Sequence, residues 1–206
     1  MANRIPLVVV STEQLIKELP VGDDLDAANS NIVNAHNITA GNVSTTNLTT
    51  VNIATTGNVG FGVSVPNARV HIAGTTILEE ILEKSNVSAT AMGANANVDI
   101  LDCAIHFYTA NSTANTTLNI RGNTTVTLNS VMSTNQSLTI AFVVTNGASA
   151  FRVGNVQLDG ANTTIKWSGG SAPTACSNST EAYAFTIIKT GAAAQYTLLG
   201  SKTQFA

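Results

Sequence analysis

Charge is what this chain has least of. Lys, Arg, Asp and Glu make up 10% of its 206 residues, against roughly 25% in ordinary soluble domains. Aromatic residues are also sparse at 5%, and there are four prolines, two cysteines and one tryptophan. The few Lys and Arg form no clustered stripe, which argues against a nucleic-acid partner. Cys103 and Cys176 lie far apart without metal-ligand spacing and read as two reduced core thiols. No run approaches the roughly 18 apolar residues of a membrane-spanning helix. PLVVV (Pro6 to Val10) is too short for a signal-peptide core and has no suitably placed cleavage site. The expectation is a chain made and kept in a cytoplasm.

Asn, Thr, Ala, Gly and Ser fill the space, a mixture suited to extended β structure, and 44% hydrophobic content excludes a disordered tail. Ten Asn-x-Ser/Thr sequons occur; a chain this rich in Asn and Thr contains them by chance, so they carry little weight for glycosylation. The net charge of −3 divides into −6 over residues 1–102 and +3 over residues 103–206.

The stretch NIVNAHNITAGNVSTTNLTTVNIATTGNV (Asn31 to Val59) repeats one Asn-aliphatic pair six times, at spacings of 6, 5, 5, 5 and 6 residues. This fits neither the period of a helix nor that of one long strand; it fits short strands joined by turns, with one aliphatic residue per rung pointing inward. One such side chain contributes about 1.5–3 kcal/mol when buried, while ordering each backbone residue costs roughly 1–2 kcal/mol. A lone chain loses that balance. Three chains wound about one axis would bury Ile32, Ile38, Val43, Leu48, Ile53 and Val59 at the centre. A single-chain β-solenoid is the rival reading, although its coils need more apolar positions.

Four segments follow from texture. Residues 1–27 form an N-terminal docking segment, with Ile5, Leu7, Val9, Leu15 and Leu19 as its contact side chains; Ser11 or Thr12 would cap one or two helical turns ending at Pro20. A plain surface-packed terminus is the alternative. Residues 28–60 are the repeat shaft. Residues 61–84 form a neck, in which RVHI is a short strand and TILEEILEK a short helix whose Ile77 and Ile81 would join the trimer axis. Two turns of helix do not persist alone, so three copies would have to pack together.

Residues 85–206 carry seven or eight strand signals separated by Asn-Gly, Asp-Gly and Gly-Gly turns, and predict a β-sandwich head. DILDCAIHFYT reads as one alternating strand with Leu101, Cys103, Ile105 and Phe107 on one face and Asp102, Ala104, His106 and Tyr108 on the other. TVTLNSV reads as another strand. SLTIAFVV places Leu138, Ile140, Phe142 and Val144 on one side, and Gly154-Asn155 reads as a bulge. The fold class expected overall is all-β: an intertwined trimeric β-helical shaft, a short helix and a C-terminal antiparallel, jelly-roll-like sandwich.

Two stretches resemble known proteins. GNVGFGVSVPNARVHIAG (Gly57 to Gly74) resembles the GNVGIGT-x-x-P-x-x-x-L-x-V-x-G signature of tail-fibre proteins of tailed bacteriophages, at the exit of a β-helical shaft; Phe61 and Val63 stand where Ile and Thr are usual. The head is similar to a C-terminal domain of virion structural proteins from marine and cyanobacterial tailed phages. EKSNVSATA, TLNIRGN, TLNSVMSTNQSLTIAFVVTNG, KWSGGSAPT, AYAFTIIKTG and YTLLGSKTQFA carry that likeness. The resemblance implies a trimeric, elongated virion component whose N-terminus docks on other tail or capsid proteins.

Signals for catalysis are weak. His36, His71 and His106 sit on separate segments without zinc spacing. Copies of His71 or His106 meeting on a trimer axis would bind a metal, but surface or half-buried strand histidines are the plainer reading. Asp102 and His106, four residues apart on one strand, would stand about 13 Å apart, too far to pair. Gly60-Phe61-Gly62 is no phosphate loop, no Gly-x-Ser-x-Gly elbow occurs, and Asp159 and Glu181 are the only acids after Asp102. A non-enzymatic chain without cofactor is expected, with a depolymerase disfavoured. Trp167, Asn146, Asp159 and Asn162 mark loop tips as candidate contacts with a host-surface glycan or protein, although Trp167 alternates with Ile165 and reads first as a core residue. The function expected is a tail fibre for host attachment, assembled in the host cytoplasm and displayed on the virion surface; a capsid fibre or decoration protein is the alternative.

Overall fold

The computed structural model describes residues 56–205 and, as backbone, the strands Leu7–Val10 and Leu15–Glu18. Its contacts divide into two units, Met1–Gly74 and Thr75–Ala206. In the first, β1 (Leu7–Val10) pairs antiparallel with β2 (Leu15–Glu18), with Leu7 opposite Glu18 and Val10 opposite Leu15. The helical turns expected after Ser11 or Thr12 are therefore replaced by a strand. Residues 15–18 find a strand partner just upstream, whereas a helix this short has no means of repaying its nucleation cost. Leu7, Val9 and Leu15 lie in these strands, while Ile5, Leu19 and the rungs Ile32, Ile38, Val43, Leu48 and Ile53 lie outside the described residues.

The signature stretch forms β3 (Val59–Phe61) and β4 (Val70–Ile72), paired parallel with Val59 opposite Val70 and Phe61 opposite Ile72. Two further bonds extend the pairing, Val59 N to Arg69 O and Ala73 N to Phe61 O, both 2.8 Å. Gly62 takes a φ of +71°, which a residue with Cβ adopts at a cost. Val70 and Ile72 alternate with His71 as RVHI suggests, but they are the exposed pair and His71 the half-buried one. The neck helix is absent: Thr75–Lys84 contains no helical turn, and Ile77 and Leu82 stand 88% and 90% exposed. Three β-branched residues, Thr76, Ile77 and Ile81, in a nine-residue stretch, with the apolar stripe left exposed, leave helix formation uphill.

In the second unit, successive strands alternate between two sheets. β5 (Ser85–Ala91), β7 (Ile105–Asn111) and β9 (Ser137–Asn146) are parallel neighbours in one sheet; β6 (Asn95–Asp99), β8 (Thr116–Arg121) and β10 (Val153–Leu158) are parallel neighbours in the other. Residues 92–94, 100–104 and 112–115 are the first three links. A parallel neighbour in the same sheet needs a crossover of a dozen residues or more. Short links therefore send each strand to the opposite sheet, and that strand becomes the crossover. The product is three stacked coils.

Asp159 and Gly160, both at positive φ, then reverse the chain into β11 (Ala161–Thr163), antiparallel to β10. β12 (Ile165–Trp167) crosses to the far edge of the first sheet, and the long strands β13 (Ser179–Gly191) and β14 (Gln195–Phe205) fill the space between β12 and β9. The two sheets run β12-β14-β13-β9-β7-β5 and β11-β10-β8-β6. Ten strands make up the head, and five of its eight pairings are parallel. The expectation of an antiparallel sandwich is thus corrected to a mixed one, because strand signals do not encode direction.

One core lies between the sheets. Val98, Leu118, Ile120, Val156 and Leu158 face Ile140, Phe142, Val144, Tyr183, Phe185, Ile187 and Leu198. The predicted inward side of SLTIAFVV is observed, and the ladder shifts register between Val153 and Asn155 as a bulge. The two faces of β7 are as the alternation divides them: His106 is buried and Tyr108 packs on Phe142 at 5.5 Å, while Ile105 and Phe107 lie on the outer face. The strand expected across DILDCAIHFYT is interrupted by the turn at residues 100–104.

TVTLNSV is not a strand but carries the helical turn α1 (Leu128–Val131). Thr127 Oγ1 accepts from Ser130 N, and the Asp159 carboxylate accepts from Leu128 N and Asn129 N at 2.6 and 3.0 Å. At the other end, buried Lys189 Nζ donates to the carbonyls of Asn129 and Met132 at 2.7 and 2.6 Å. Anion and cation thus clamp opposite ends of the turn, as its dipole favours.

A second buried charge closes the core. Glu181, wholly buried, accepts from Lys202 Nζ at 2.8 Å, Tyr183 Oη at 2.7 Å and Cys176 N at 2.7 Å. Burial and the Glu181 carboxylate push the Tyr183 hydroxyl well above the ordinary tyrosine range. Removing one partner of such a pair leaves an uncompensated charge, at about 3–5 kcal/mol. Lys202→Met is therefore expected to lower the urea midpoint by that equivalent. Adding Glu181→Gln in the same chain should recover a large part; equal loss in single and double variants would contradict the assignment.

Candidate functional site

The outer face of the four-stranded sheet is a field of amides. Asn95, Asn97 and Asp99 of β6 stand beside Thr117, Asn119 and Arg121 of β8, and Asn155 and Gln157 of β10 continue the rows toward Asn162 of β11. Alternation places these side chains opposite the buried Ala96, Val98, Leu118, Ile120, Val156 and Leu158. Asn119 Nδ2 donates to Asn97 Oδ1 at 3.1 Å, and Asn155 Nδ2 and Gln157 Nε2 both donate to Asn162 Oδ1, at 2.7 and 3.0 Å. Arg121 Nε donates to Asp99 Oδ1 at 2.7 Å. These side chains are tied to one another by hydrogen bonds, and the face keeps spare donors and acceptors toward solvent.

At its β11 end this face meets a hollow of about 280 Å³, lined by Gly154, Asn155, Asn162, Thr163, Thr164, Ile165 and Trp167. Of the four contact residues read from the sequence, Asn162 and Trp167 meet here. Trp167 packs edge-on against Phe185 and Tyr183, at 5.8 and 6.4 Å. The absence of a side chain at Gly200 lets it do so, since a Cβ there would lie 2.9 Å from the indole. Its core reading therefore holds, with one edge left on the hollow.

The other two residues are engaged internally, Asn146 buried and Asp159 half-exposed. Asn146 is buried and binds inward, its Nδ2 donating to the carbonyls of Phe151 and Cys176 at 2.8 and 3.0 Å. Asp159 is spent on α1, so its turn position reflects conformation, as Asp-Gly suggests. The amide rows were missed at the sequence level. Their signal is present in NANVD, TTLNIR and NVQLDG, where polar residues alternate with small or aliphatic ones.

The head's four carboxylates are all engaged: Asp99 with Arg121, Asp102 with Lys84, Asp159 with α1 and Glu181 with Lys202. Among the described residues no three His, Cys, Asp or Glu side chains are placed to hold a metal ion. Both cysteines are free, Cys103 buried and Cys176 half-buried. His106 lines a polar hollow of about 320 Å³ with Asp99, Asp102, Asn86, Asn97, Leu101 and Asn123. The turn at residues 100–104 thus brings Asp102 to the same hollow as His106, which the single-strand reading had kept apart. Such an arrangement offers hydrogen bonds to hydroxyl-rich ligands and places no free acid beside a base.

No protein-family model, no curated protein and no solved structure matches the chain.

Burial pushes the His106 imidazole below its ordinary value of 6.5, against the opposing pull of the Cys103 carbonyl and the Asp102 and Asp99 carboxylates. The neutral ring is thus the folded form. Its stabilising share is complete above pH 6.5 and is lost as pH falls below it, where the unfolded chain takes up a proton that the folded chain refuses. The urea midpoint should decline between about pH 7 and 5.5, with a flatter profile in His106→Asn; identical profiles would contradict this. Asp159→Ala should cost about 2 kcal/mol in unfolding free energy through lost charge-assisted bonds. Asn162→Ala, at an exposed site, should stay within about 0.5 kcal/mol of the parent.

Proposed function

We propose that the chain is a homotrimeric virion fibre protein of a tailed bacteriophage, docked through its N-terminal segment and presenting the β head for attachment to a host surface. The reading is of a non-enzymatic protein whose work is mechanical and adhesive. One observation carries it. From Phe61 to Leu82 the large apolar residues other than half-buried Val63, namely Phe61, Val65, Val70, Ile72, Ile77, Leu78, Ile81 and Leu82, are exposed on the single chain. A soluble monomer rarely leaves so much contiguous apolar sequence uncovered. Sister chains around a common axis would cover it, as they would the Asn-aliphatic repeat that precedes it. The resemblance of Gly57 to Gly74 to the tail-fibre signature adds the biological setting, and the amide face supplies a surface of the chemistry that saccharide hydroxyls require.

Immunogold electron microscopy of intact virions with antibodies against the head tests the placement. Label at the distal tail is expected. Label confined to the capsid would overturn the tail assignment and favour a decoration role.

A further inference from the structure

The two outer faces of the head differ in kind. The four-stranded sheet shows amides and the Asp99–Arg121 pair; the six-stranded sheet shows Val87, Ile105, Phe107, Val143, Ile188 and Leu199 among Thr, Ala and Ser. These residues lie on the side opposite the core, since their neighbours Phe142, Val144, Ile187 and Leu198 are buried. They are also laterally aligned, Val87 beside Phe107 and Phe107 beside Val143. Across this face the charged residue is Lys166, on the edge strand β12. The charged side chains of the long strands, Glu181, Lys189 and Lys202, all turn inward. Apart from Lys166 at the edge, charge is absent from the face that carries these apolar side chains.

We propose that this face of the six-stranded sheet is where heads of identical chains meet, resting on the reading above that the protein works as an oligomer of one chain. Three observations select a second copy as the occupant. Near a rotation axis identical side chains confront one another, so a charge would meet its own like; an uncharged aliphatic and Thr surface is the kind that tolerates this. Six strands at about 4.8 Å spacing and some 20 Å of strand length give roughly 600 Å², near the roughly 800 Å² that each partner contributes to a stable interface. The exposed segment Ile77–Leu82 ends two residues before β5, the edge strand of this same sheet, and belongs to the same unit. One association would cover both surfaces. The amide face then remains outward and free for ligand.

The test is maleimide labelling of the full chain carrying one added cysteine. Leu199→Cys and Ala184→Cys report on the proposed face, both at exposed positions, and Asn97→Cys reports on the amide face. Buried Cys103 serves as the internal check that each variant is folded, and the parent's Cys176 labelling is subtracted. In the native assembly both reporters on the six-stranded sheet should label at least tenfold more slowly than Asn97→Cys. Adding Val87→Lys, at a site 61% exposed in the single chain, should restore their labelling. Equal rates on both faces in a species that still sediments as several chains would overturn the face assignment alone. Equal rates in a species that sediments as one chain would overturn the oligomer reading with it.

Discussion

The head is organised by the shortness of its links. Three to five residues between the first strands leave no room for a crossover within one sheet, so each strand must enter the opposite layer. Parallel pairing, the stacking of coils and the single core between two sheets all follow from that constraint. It also fixes where side chains point. Once Leu118 and Ile120 face Phe142 and Val144, the alternation along each strand assigns Asn119 and Arg121 to one outer surface and Ala141 and Val143 to the other. The functional contrast between the two faces is a consequence of period-two geometry applied twice.

The charged groups inside the sandwich sit at its margins and are paired, whereas the buried Tyr196 hydroxyl has no hydrogen-bond partner among the described residues. Lys189 and Asp159 grip the ends of one helical turn, and Glu181 draws Lys202, Tyr183 and the Cys176 amide around one carboxylate. Such pairs contribute little net stability relative to apolar replacements, but they are costly to break. Their effect here is positional: they fix the loop before β13 and the link between β8 and β9. A rigid scaffold for the outer faces results.

How much of this was legible depended on the element. SLTIAFVV declared its buried side because every second residue is aliphatic. The Asp-Gly turn was legible because those residues have a local conformational preference, and the Gly154-Asn155 bulge because the apolar alternation breaks parity between Val153 and Val156. Strand direction was hidden, since pairing partners are set by link lengths and not by alternation. The inward side of β7 was not legible because both of its sides carry large residues, Ile105 and Phe107 on one and His106 and Tyr108 on the other. TVTLNSV misled because its Thr and Val residues favour strands while Asp159, thirty residues away, favours the turn. Of the loop-tip candidates, Trp167 and Asn162 line one hollow, whereas Asn146 is buried and Asp159 caps the helical turn. The amide rows went unread because polar alternation was treated as the absence of a signal.

Among the described residues the neck Phe61–Leu82 is largely exposed and the outer side of the six-stranded sheet carries apolar side chains, and the account turns on identical chains covering both. Linkage makes this measurable: a fold completed by association has a stability that depends on protomer concentration. Equilibrium urea unfolding, followed over about a hundredfold range of concentration, addresses it directly. The account predicts a midpoint that rises steadily with concentration. A midpoint that stays fixed over that range, in a particle with the mass of one 21.2 kDa chain, would contradict it.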